Sequence, residues 1–359
     1  MKLSAVIDEL VEERGLDREL LQSIICESVL AAFQKRYPDL VLIAEYDKKG
    51  DDVSIKTQKQ VVSAVQDDER EISLRKSRAF NKKAVVGDML WLPFEQPIGR
   101  VEILRAKQSI AQRIHKVEVE AIFNEFKDKE GTIVNGVIHK CERAGTVVKI
   151  RDSFAFLPRS LSIPGEKHII GYSIRALLKE VLPEPRNENQ LILDRVSTEF
   201  IACLFKLEIP EVFERLVEIK RIVRIPGYKT KIVVTSHDKN IDPVGTCVGV
   251  GGVRIKPILK EIESEKIDII AWTDSLETLV SQALKPAQVN RVELIDAKNA
   301  NVWVDEDQRS LAIGKMGQNI ALASKLTDVE IRLIQPKRVA TAESRGEEIL
   351  EEESSEEFE

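Results

Sequence analysis

The 359-residue sequence has few cysteines, few aromatic side chains and no long hydrophobic segment. Its four cysteines lie far apart without a CxxC pair, which predicts neither a disulfide framework nor a cysteine-rich zinc site. No uninterrupted apolar run approaches the roughly 18 residues that a membrane-spanning helix needs. The N-terminus alternates charged and apolar residues, unlike the apolar block of a signal peptide. These absences predict a cytoplasmic protein without a membrane anchor.

The net charge of −6 is unevenly distributed along the chain. Residues 343–359 contain nine glutamates and one arginine, a net charge of −8, which leaves +2 for residues 1–342. A block of like charges without apolar periodicity does not bury enough surface to offset its ordering entropy. The sequence therefore predicts a slightly basic folded body and a disordered acidic tail. Its length predicts two or three domains in that body.

Residues 1–130 have the pattern of an α/β domain. Apolar residues recur with helical spacing over residues 3–11 and 21–33, and Asp17 is expected to cap the second helix. A longer helix is predicted over residues 106–129, and at 1.5 Å per residue it would span roughly 35 Å as a rigid connector. Strand-like segments lie between these helices, at residues 40–47, 52–57 and 60–65.

Residues 131–197 show five short strand-like segments separated by turn residues. This pattern predicts a small Greek-key barrel of the OB type. Such barrels commonly bind single-stranded nucleic acid, but the fold alone does not establish function. Phe154, Phe156 and His168 are candidates for stacking on bases, although a small barrel also needs aromatic side chains in its core, and the core interpretation is preferred.

Residues 197–337 contain an internal duplication with a glycine loop in each copy. Aligning Gly249 with Gly314 places Asp242 and Asp307 at equivalent positions seven residues upstream, where each is expected to cap a short helix. Two strand-like segments precede each loop, and a helix and a closing strand follow it. The resulting order is helix, strand, strand, helix, glycine loop, helix, strand, which is the bacterial, type II arrangement of the KH fold.

Each glycine loop has the form G-x-x-G. Two glycines three residues apart let another backbone approach without a Cβ collision, and the next helix presents free N–H groups to a phosphodiester chain. A single G-x-x-G is a weak signal, whereas two aligned copies favour RNA binding. The candidate RNA-binding residues are Gly249, Val250, Gly251, Gly252, Arg254, Lys256, Gly314, Lys315, Met316, Gly317, Gln318 and Asn319.

The two loops differ in charge. Lys315 lies between the glycines of the second loop, where a cation favours a phosphate contact over a structural role. The first loop has Val250 and Gly251 instead, so that Arg254 and Lys256 would supply its charge. A further basic cluster either steers RNA or forms a solvated face, and both interpretations stay open. Its members are Lys220, Arg221, Arg224, Lys229 and Lys231.

Catalytic and metal-binding motifs are lacking. Neither loop satisfies G-x-x-x-x-G-K-[ST] or G-x-G-x-x-G, no G-x-S-x-G occurs, and the four histidines have no metal-ligand spacing. No catalytic residue, metal or cofactor is therefore expected. A phosphorolytic RNA-processing enzyme with KH and S-one-type modules carries them behind a large catalytic region, for which residues 1–130 are too short. An RNA-binding factor in ribosome assembly or RNA processing remains the alternative.

The segments VEIKRIVRIPGYKTKIVV, IDPVGTCVGVGG and AIGKMGQNIALASKL, in this order of modules, resemble the NusA family of bacterial transcription elongation and termination factors. The resemblance covers residues 1 to about 337 and implies a multi-domain α+β protein. Its expected parts are an α/β N-terminal RNA polymerase-binding domain with the connector helix (1–130), an S-one-type OB-fold β-barrel (131–197), two tandem type II KH domains (198–274 and 275–342) and the disordered acidic tail (343–359).

The resemblance also implies partners and a function. It implies contact with the RNA polymerase core near the RNA exit channel and a continuous surface for nascent single-stranded RNA. Other Nus-type antitermination factors are further candidate partners, and the chain is expected to be a monomer. The implied function is the modulation of pausing, intrinsic termination and antitermination. The first loop departs from the family pattern, which usually has a basic residue between the glycines.

Overall fold

The computed structural model describes residues 3–14, 17–47, 50–94, 99–186 and 189–334. The chain forms two compact units that divide between Phe126 and Lys127, except that residues 183–185 group with the first unit. The predicted acidic tail, residues 343–359, lies outside the described residues. Across the described ranges, no helix has the length and apolar character needed to span a membrane.

The first unit combines helices with a mixed sheet. Its helices are α1 (Leu3–Arg14), α2 (Arg18–Arg36), α3 (Leu74–Phe80) and α4 (Arg100–Phe126), and its strands are β1 (Leu42–Asp47), β2 (Asp52–Val62), β3 (Glu71–Ser73) and β4 (Met89–Pro93). Strand β2 pairs antiparallel with β1 and β4 and parallel with β3. Two separate strands were predicted, at residues 52–57 and 60–65, where β2 is continuous through its polar middle. That middle pairs with β4, where Gln58 lies opposite Trp91.

The two long helices of the first unit pack on each other. Asp17 caps α2 as predicted, since its carboxylate accepts a hydrogen bond from the backbone N–H of Leu20 at 3.1 Å. Helix α4 begins six residues earlier than predicted, and its Ile110 and Ile114 pack on the cluster that contains Leu21 and Ile25 of α2. Much of α4 is therefore part of the first unit's core. The sequence predicted only a connector helix, because α2, on which α4 packs, lies far away in the sequence.

The second unit begins with the predicted five-stranded barrel. Its strands are β5 (Ile133–Cys141), β6 (Gly145–Ile150), β7 (Ser153–Pro158), β8 (Ser173–Arg186) and β9 (Asn189–Asp194). They close in the order β5-β6-β7-β9-β8, with β7 and β9 parallel and the other neighbours antiparallel. The sequence predicts that the fourth strand of the barrel starts at residue 168, but residues 168–172 form a loop and β8 begins at Ser173. The non-sequential order is that of a Greek-key barrel.

Two copies of one α/β arrangement follow the barrel. The first contains α5 (Thr198–Glu208), α6 (Pro210–Phe213), β10 (Val217–Ile225), β11 (Lys229–Ser236), α7 (Pro243–Val248), α8 (Ile255–Ile262) and β12 (Lys266–Ala271). The second contains α9 (Leu276–Ala283), β13 (Arg291–Asp296), β14 (Asn299–Trp303), α10 (Glu306–Ile313), α11 (Gln318–Thr327) and β15 (Glu330–Ile334). In each sheet, the first two strands are antiparallel and the last is parallel to its neighbour. This is the predicted KH order.

The modules of the second unit share hydrophobic cores. Ile163 and Leu177 of the barrel pack in one cluster with Phe200 and Phe205 of α5. A second cluster joins Val233 and Ile270 of the first copy to apolar residues of the second copy, among them Leu279, Val280 and Val302. Separating these modules would expose buried apolar surface to water. The barrel and the two copies therefore form one compact unit.

Candidate nucleic-acid interface

The two glycine loops have the same backbone conformation. Gly249 and Gly314 both have φ 73°, with ψ 166° and 177°, and each ends the helix before its loop. The third loop residue is left-handed in both copies, with φ 62° and ψ 18° at Gly251 and φ 52° and ψ 30° at Met316. The fourth residue, Gly252 or Gly317, also has a positive φ. The predicted duplication therefore extends to the individual dihedral angles of the loops.

The first and last glycines of each loop have different surroundings. A Cβ atom at Gly249 would lie 2.9 Å from Cγ of Arg254, and one at Gly314 would lie 2.7 Å from Cβ of Asn319. A Cβ atom at Gly317 would meet no protein atom within 4 Å. The first glycines are thus required by packing inside the protein. The space beside Gly317 is open to an external ligand.

The second loop presents a cation to solvent. Lys315 is exposed and makes no ion pair with a described residue, and Met316 beside it is 87% exposed. Gln318 is the half-exposed first residue of α11, at the end where backbone N–H groups are free. A lysine and a helix N-terminus at one surface make a favourable place for a phosphate group.

Asn319 does not reach that surface. Its side chain is 2% exposed, and its Nδ2 donates to the carbonyl oxygens of Leu284 at 3.1 Å and Ala312 at 3.2 Å. It ties the start of α11 to the end of α9 and to α10. We therefore correct its assignment from an RNA-contacting residue to one that positions the loop.

The first loop presents apolar atoms and a lysine. Val250 is 95% exposed and Val253 is 64% exposed, while Lys256 is exposed on the first turn of α8. Arg254 was expected to supply charge, but its guanidinium donates to the carbonyl oxygen of Thr246 at 2.9 Å and pairs with Glu211 at 2.9 Å. It is held against helix α7, so we remove it from the RNA-contacting set and keep Lys256.

The predicted capping residues also differ between the copies. Asp242 caps α7, since its carboxylate accepts from the N–H of Val244 at 3.1 Å. In the second copy Asp305 occupies the N-cap position, and Asp307 lies within the first turn of α10. The expectation for Asp307 was wrong because α10 starts earlier relative to its glycine loop than α7 does.

The basic cluster on β10 and β11 is largely structural. Arg224 makes a bidentate pair with Glu265, at 2.8 and 2.9 Å, and neither side chain is more than 1% exposed. Lys231 is buried and donates to Asp268 at 2.7 Å, as does Lys229 at 2.9 Å. Burial lowers the pKa of Lys231, and Asp268 opposes this shift. These three cations therefore neither form a solvated face nor present a charge that steers RNA, the two interpretations that the sequence left open.

The candidate base-stacking rings of the barrel differ in their exposure to solvent. Phe154 is 43% exposed, and its ring lies 4.9 Å from the ring of His139, tilted by 48°. His168 is largely buried, with Nδ1 2.7 Å from Oγ1 of Thr146. The preferred core interpretation therefore holds for His168 but not for Phe154, which is available to stack on a base.

A buried arginine joins the barrel to the first copy of the α/β arrangement. Arg195 is 1% exposed and pairs with Glu166 of the barrel and, at 2.6 Å, with Glu261 of α8. Its guanidinium also donates to the carbonyl oxygens of Arg175 and, at 2.9 Å, of Glu261. Burial acts to raise the pKa of the Glu166 carboxyl, but His168 and Arg195 outweigh it and hold that pKa below its usual value. The barrel is thereby fixed beside the first glycine loop.

Within the described ranges, no group of three or more His, Cys, Asp or Glu side chains is arranged so that it could hold a metal ion.

Comparison with known proteins yields three family matches. A sequence model of the NusA N-terminal domain matches residues 2–120. Models of the NusA-like first and second KH domains match residues 195–272 and 276–341. These matches coincide with the first unit and with the two α/β copies, and in the sequence the barrel lies between the first match and the second.

Proteins named transcription termination/antitermination protein NusA are similar along most of the chain. The one from Thermus thermophilus is 36% identical over 339 residues, covering 90% of this chain and 87% of the relative. The one from Rickettsia conorii is 33% identical over 357 residues, covering 98% and 70%. The one from Bacillus subtilis is 30% identical over 325 residues, covering 90% and 87%.

Proposed function

Because the chain belongs to the NusA family, we propose that it is a transcription elongation factor that binds RNA polymerase and nascent single-stranded RNA. In this role it modulates pausing, intrinsic termination and antitermination. The first unit docks on the polymerase, and the second unit holds the RNA. The names of the relatives support the role in termination and antitermination.

The observation that carries the RNA-binding part is the matched geometry of the two glycine loops. Their dihedral angles agree closely, although no residue between the glycines is shared. Each first glycine is fixed by internal packing, whereas Gly317 leaves room for an incoming backbone. Single-stranded RNA suits this space, because its backbone exposes phosphates and its bases are free to turn away from the loop. We propose Lys315 and Lys256 as its principal phosphate contacts.

The proposed polymerase-docking surface consists of exposed apolar side chains of the first unit, two of which share one face of β4. Met89 and Trp91 alternate along β4 and therefore share a face, and they are 55% and 41% exposed. Phe80 at the end of α3 is 64% exposed, and Val85 before β4 is also 64% exposed. Exposed apolar patches of this kind mark protein-interaction sites. These exposed apolar side chains would be buried when the first unit binds a protein partner.

The proposed domain boundaries are 1–130, 131–197, 198–274, 275–342 and 343–359. Element ends support the first three boundaries, because α4 ends at Phe126 before β5 begins, β9 ends at Asp194 before α5, and β12 ends at Ala271 before α9. The boundary at residue 342 lies outside the described residues.

A purified transcription assay tests the proposal. The chain should lengthen pauses at a hairpin-dependent site, and it should be recovered with core polymerase by pull-down. Lys315→Glu should weaken RNA binding and leave polymerase recovery unchanged, with Lys298→Glu on the β13–β14 turn as a charge-matched control. Recovery with ribosomal subunits and not with polymerase would favour the alternative role in ribosome assembly and overturn this proposal.

A further inference from the structure

Three lysines and one aspartate share one face of the sheet in the first KH domain. In the parallel pair of β11 and β12, Lys229 lies opposite Lys266, and Lys231 lies opposite Asp268. Because side chains alternate along a strand, all four point to the same face of the sheet. Farther along both strands, this face is apolar and packs against the second KH domain. The charged end of the face therefore lies at the edge of the contact between the two KH domains.

A cavity of about 710 Å³ opens at this edge. Lys229, Lys266 and Asp268 line its strand side, and residues 281–282 and 285–289, from the end of α9 and the segment after it, line the other side. The volume is within the roughly 300–1,000 Å³ that is typical of a small-molecule site. Helix α8 leads from the first glycine loop toward β12, and its eight residues span roughly 12 Å. The cavity thus lies toward the other end of α8 from that loop.

Positive charge exceeds negative charge in the floor of the cavity. One oxygen of Asp268 accepts from Nζ of Lys231 at 2.7 Å and from Nζ of Lys229 at 2.9 Å. Both lysines are buried, so water offsets little of the second positive charge. Burial lowers the pKa of Lys231, Asp268 opposes this shift, and Lys229 adds to it. No second carboxylate of a described residue pairs with either lysine, so one ammonium charge stays unbalanced.

The rim of the cavity adds further hydrogen-bond donors. Lys266 and Lys285 are exposed, and neither makes an ion pair with a described residue. Ser281 and Gln282 add a hydroxyl and an amide to the lining. Ammonium, hydroxyl and amide groups all donate to phosphate oxygens, and lysine is a common phosphate ligand. The donors therefore suit an anion with several oxygen acceptors.

We propose that this cavity binds a small phosphate dianion, either inorganic phosphate or the phosphate of a nucleoside monophosphate. Lys229, Lys266 and Lys285 contact its oxygens, and its charge offsets the excess positive charge of the floor. Pro286 and Val289 also line the cavity, which leaves apolar surface for a nucleoside beside the phosphate. Because its ligands come from both KH domains, the bound anion stabilises the contact between them. This site is independent of the proposed RNA-binding loops.

The test is isothermal titration of the full chain with inorganic phosphate, AMP and adenosine, at an ionic strength held constant with chloride. The wild type should bind phosphate or AMP saturably at one site, and the bound anion should raise the temperature of thermal unfolding. Tighter binding of AMP than of phosphate would identify a nucleotide as the ligand, and equal or weaker binding would identify inorganic phosphate. Absence of saturable binding by both anions, or equal binding of adenosine and AMP, would overturn the proposal.

Lys266→Gln/Lys285→Gln should weaken phosphate binding by at least about tenfold, since each change removes a charge-assisted hydrogen bond. Both side chains are exposed, so their loss leaves no cavity in the core, and circular dichroism verifies the fold. Lys298→Gln/Lys325→Gln, at two exposed lysines outside the cavity, is the charge-matched control. Equal weakening in both double variants, or none in the first, would mean nonspecific charge attraction and overturn the site.

A competition experiment separates this cavity from the RNA interface. Saturating single-stranded RNA without a terminal phosphate should leave the affinity for inorganic phosphate or AMP unchanged. Loss of anion binding in the presence of this RNA would assign the cavity to the RNA backbone and overturn the proposal. Failure of the chain to bind the RNA would overturn the proposed function, whereas the titration without RNA would still decide whether the anion site exists.

Discussion

Arg195 and Glu261 lie 2.6 Å apart and join the barrel to helix α8 of the first KH domain. All five N–H groups of this buried guanidinium have acceptors, contributed by Glu166, Glu261 and the backbone carbonyl of Arg175. A buried charge is tolerated only when it is paired and fully hydrogen-bonded, and here that requirement fixes two modules to one another. The buried network therefore stabilises the contact between the barrel and the first KH domain.

Arg195→Lys should lower the free energy of unfolding by about 2 kcal/mol, because a lysine ammonium has three donors and cannot reproduce the planar guanidinium contacts. Arg332→Lys, at an exposed pair with Glu330, should change it by less than about 0.5 kcal/mol. Urea unfolding of the two variants followed by fluorescence measures the difference. Equal effects would mean that the buried network adds little to stability.

Protonation of Glu166 at low pH should weaken the ion-pair network around Arg195 and lower the free energy of unfolding. Its pKa is lowered in the folded protein because His168 and Arg195 outweigh the opposing effect of burial. The unfolded chain therefore takes up the proton first, so this contribution is complete above the ordinary value of 4.5 and is lost as the pH falls through the folded-state pKa. Glu166→Gln should flatten that part of the stability curve, whereas Glu214→Gln at an exposed site should leave it unchanged.

The glycines of each loop should respond differently to substitution. Gly314→Ala places a Cβ 2.7 Å from Cβ of Asn319 and should destabilise the fold. Gly317→Asp has open space and a left-handed φ of 73°, so it should cost only about 1–2 kcal/mol while weakening RNA binding by repelling phosphate. Gly251→Asp should behave in the same way, since Met316 already occupies the equivalent conformation.

Gly87→Asp is the control for these substitutions, because Gly87 also has a positive φ and open surroundings but lies in the first unit. RNA binding and thermal unfolding of each variant separate the two effects. Normal RNA affinity in a folded Gly317→Asp protein would remove the second loop from the proposed interface.

Local patterns in the sequence predicted the elements and the loops, and contacts between distant residues account for most of what they missed. Helical spacing predicted α2, and the G-x-x-G spacing predicted both turns. The burial of Asn319 and the pairing of Arg254 with Glu211 could not be predicted, since their partners lie in other elements. Arg224 looked like a surface cation for the same reason, as Glu265 follows 41 residues later.

Thiol reactivity should report the packing of the second unit. Burial, with a smaller effect of Glu211, raises the pKa of Cys247 to about 12, so only about one molecule in ten thousand carries the reactive thiolate at pH 8. Cys141 is exposed and should react first with a disulfide reagent. Cys247 should react only after unfolding. The Cys141→Ser variant should lose the fast phase, and rapid reaction of Cys247 in the native protein would contradict its burial.

Polymerase binding and RNA binding should separate between the two units. The first unit carries the exposed Phe80, Met89 and Trp91, whereas both glycine loops belong to the second unit. In the full chain, Trp91→Ser with Phe80→Ser should reduce polymerase recovery and leave RNA affinity unchanged, because both side chains are solvent-exposed and their loss leaves no cavity. Val41→Ser, at a residue that is 57% exposed before β1, is the matched control.

Fragments extend this test to whole units. Residues 1–129 retain α4 complete and should bind polymerase with little RNA affinity, and residues 131–337 should bind RNA without joining polymerase. Each fragment contains its own hydrophobic clusters and should fold alone, which far-UV circular dichroism and cooperative unfolding can verify. Pause lengthening by residues 1–129 alone would mean that polymerase contact suffices and that the KH domains add RNA retention. Capture of polymerase only by residues 131–337 would contradict the docking role of the first unit, because the apolar patch on β4 would then have no part in recruitment.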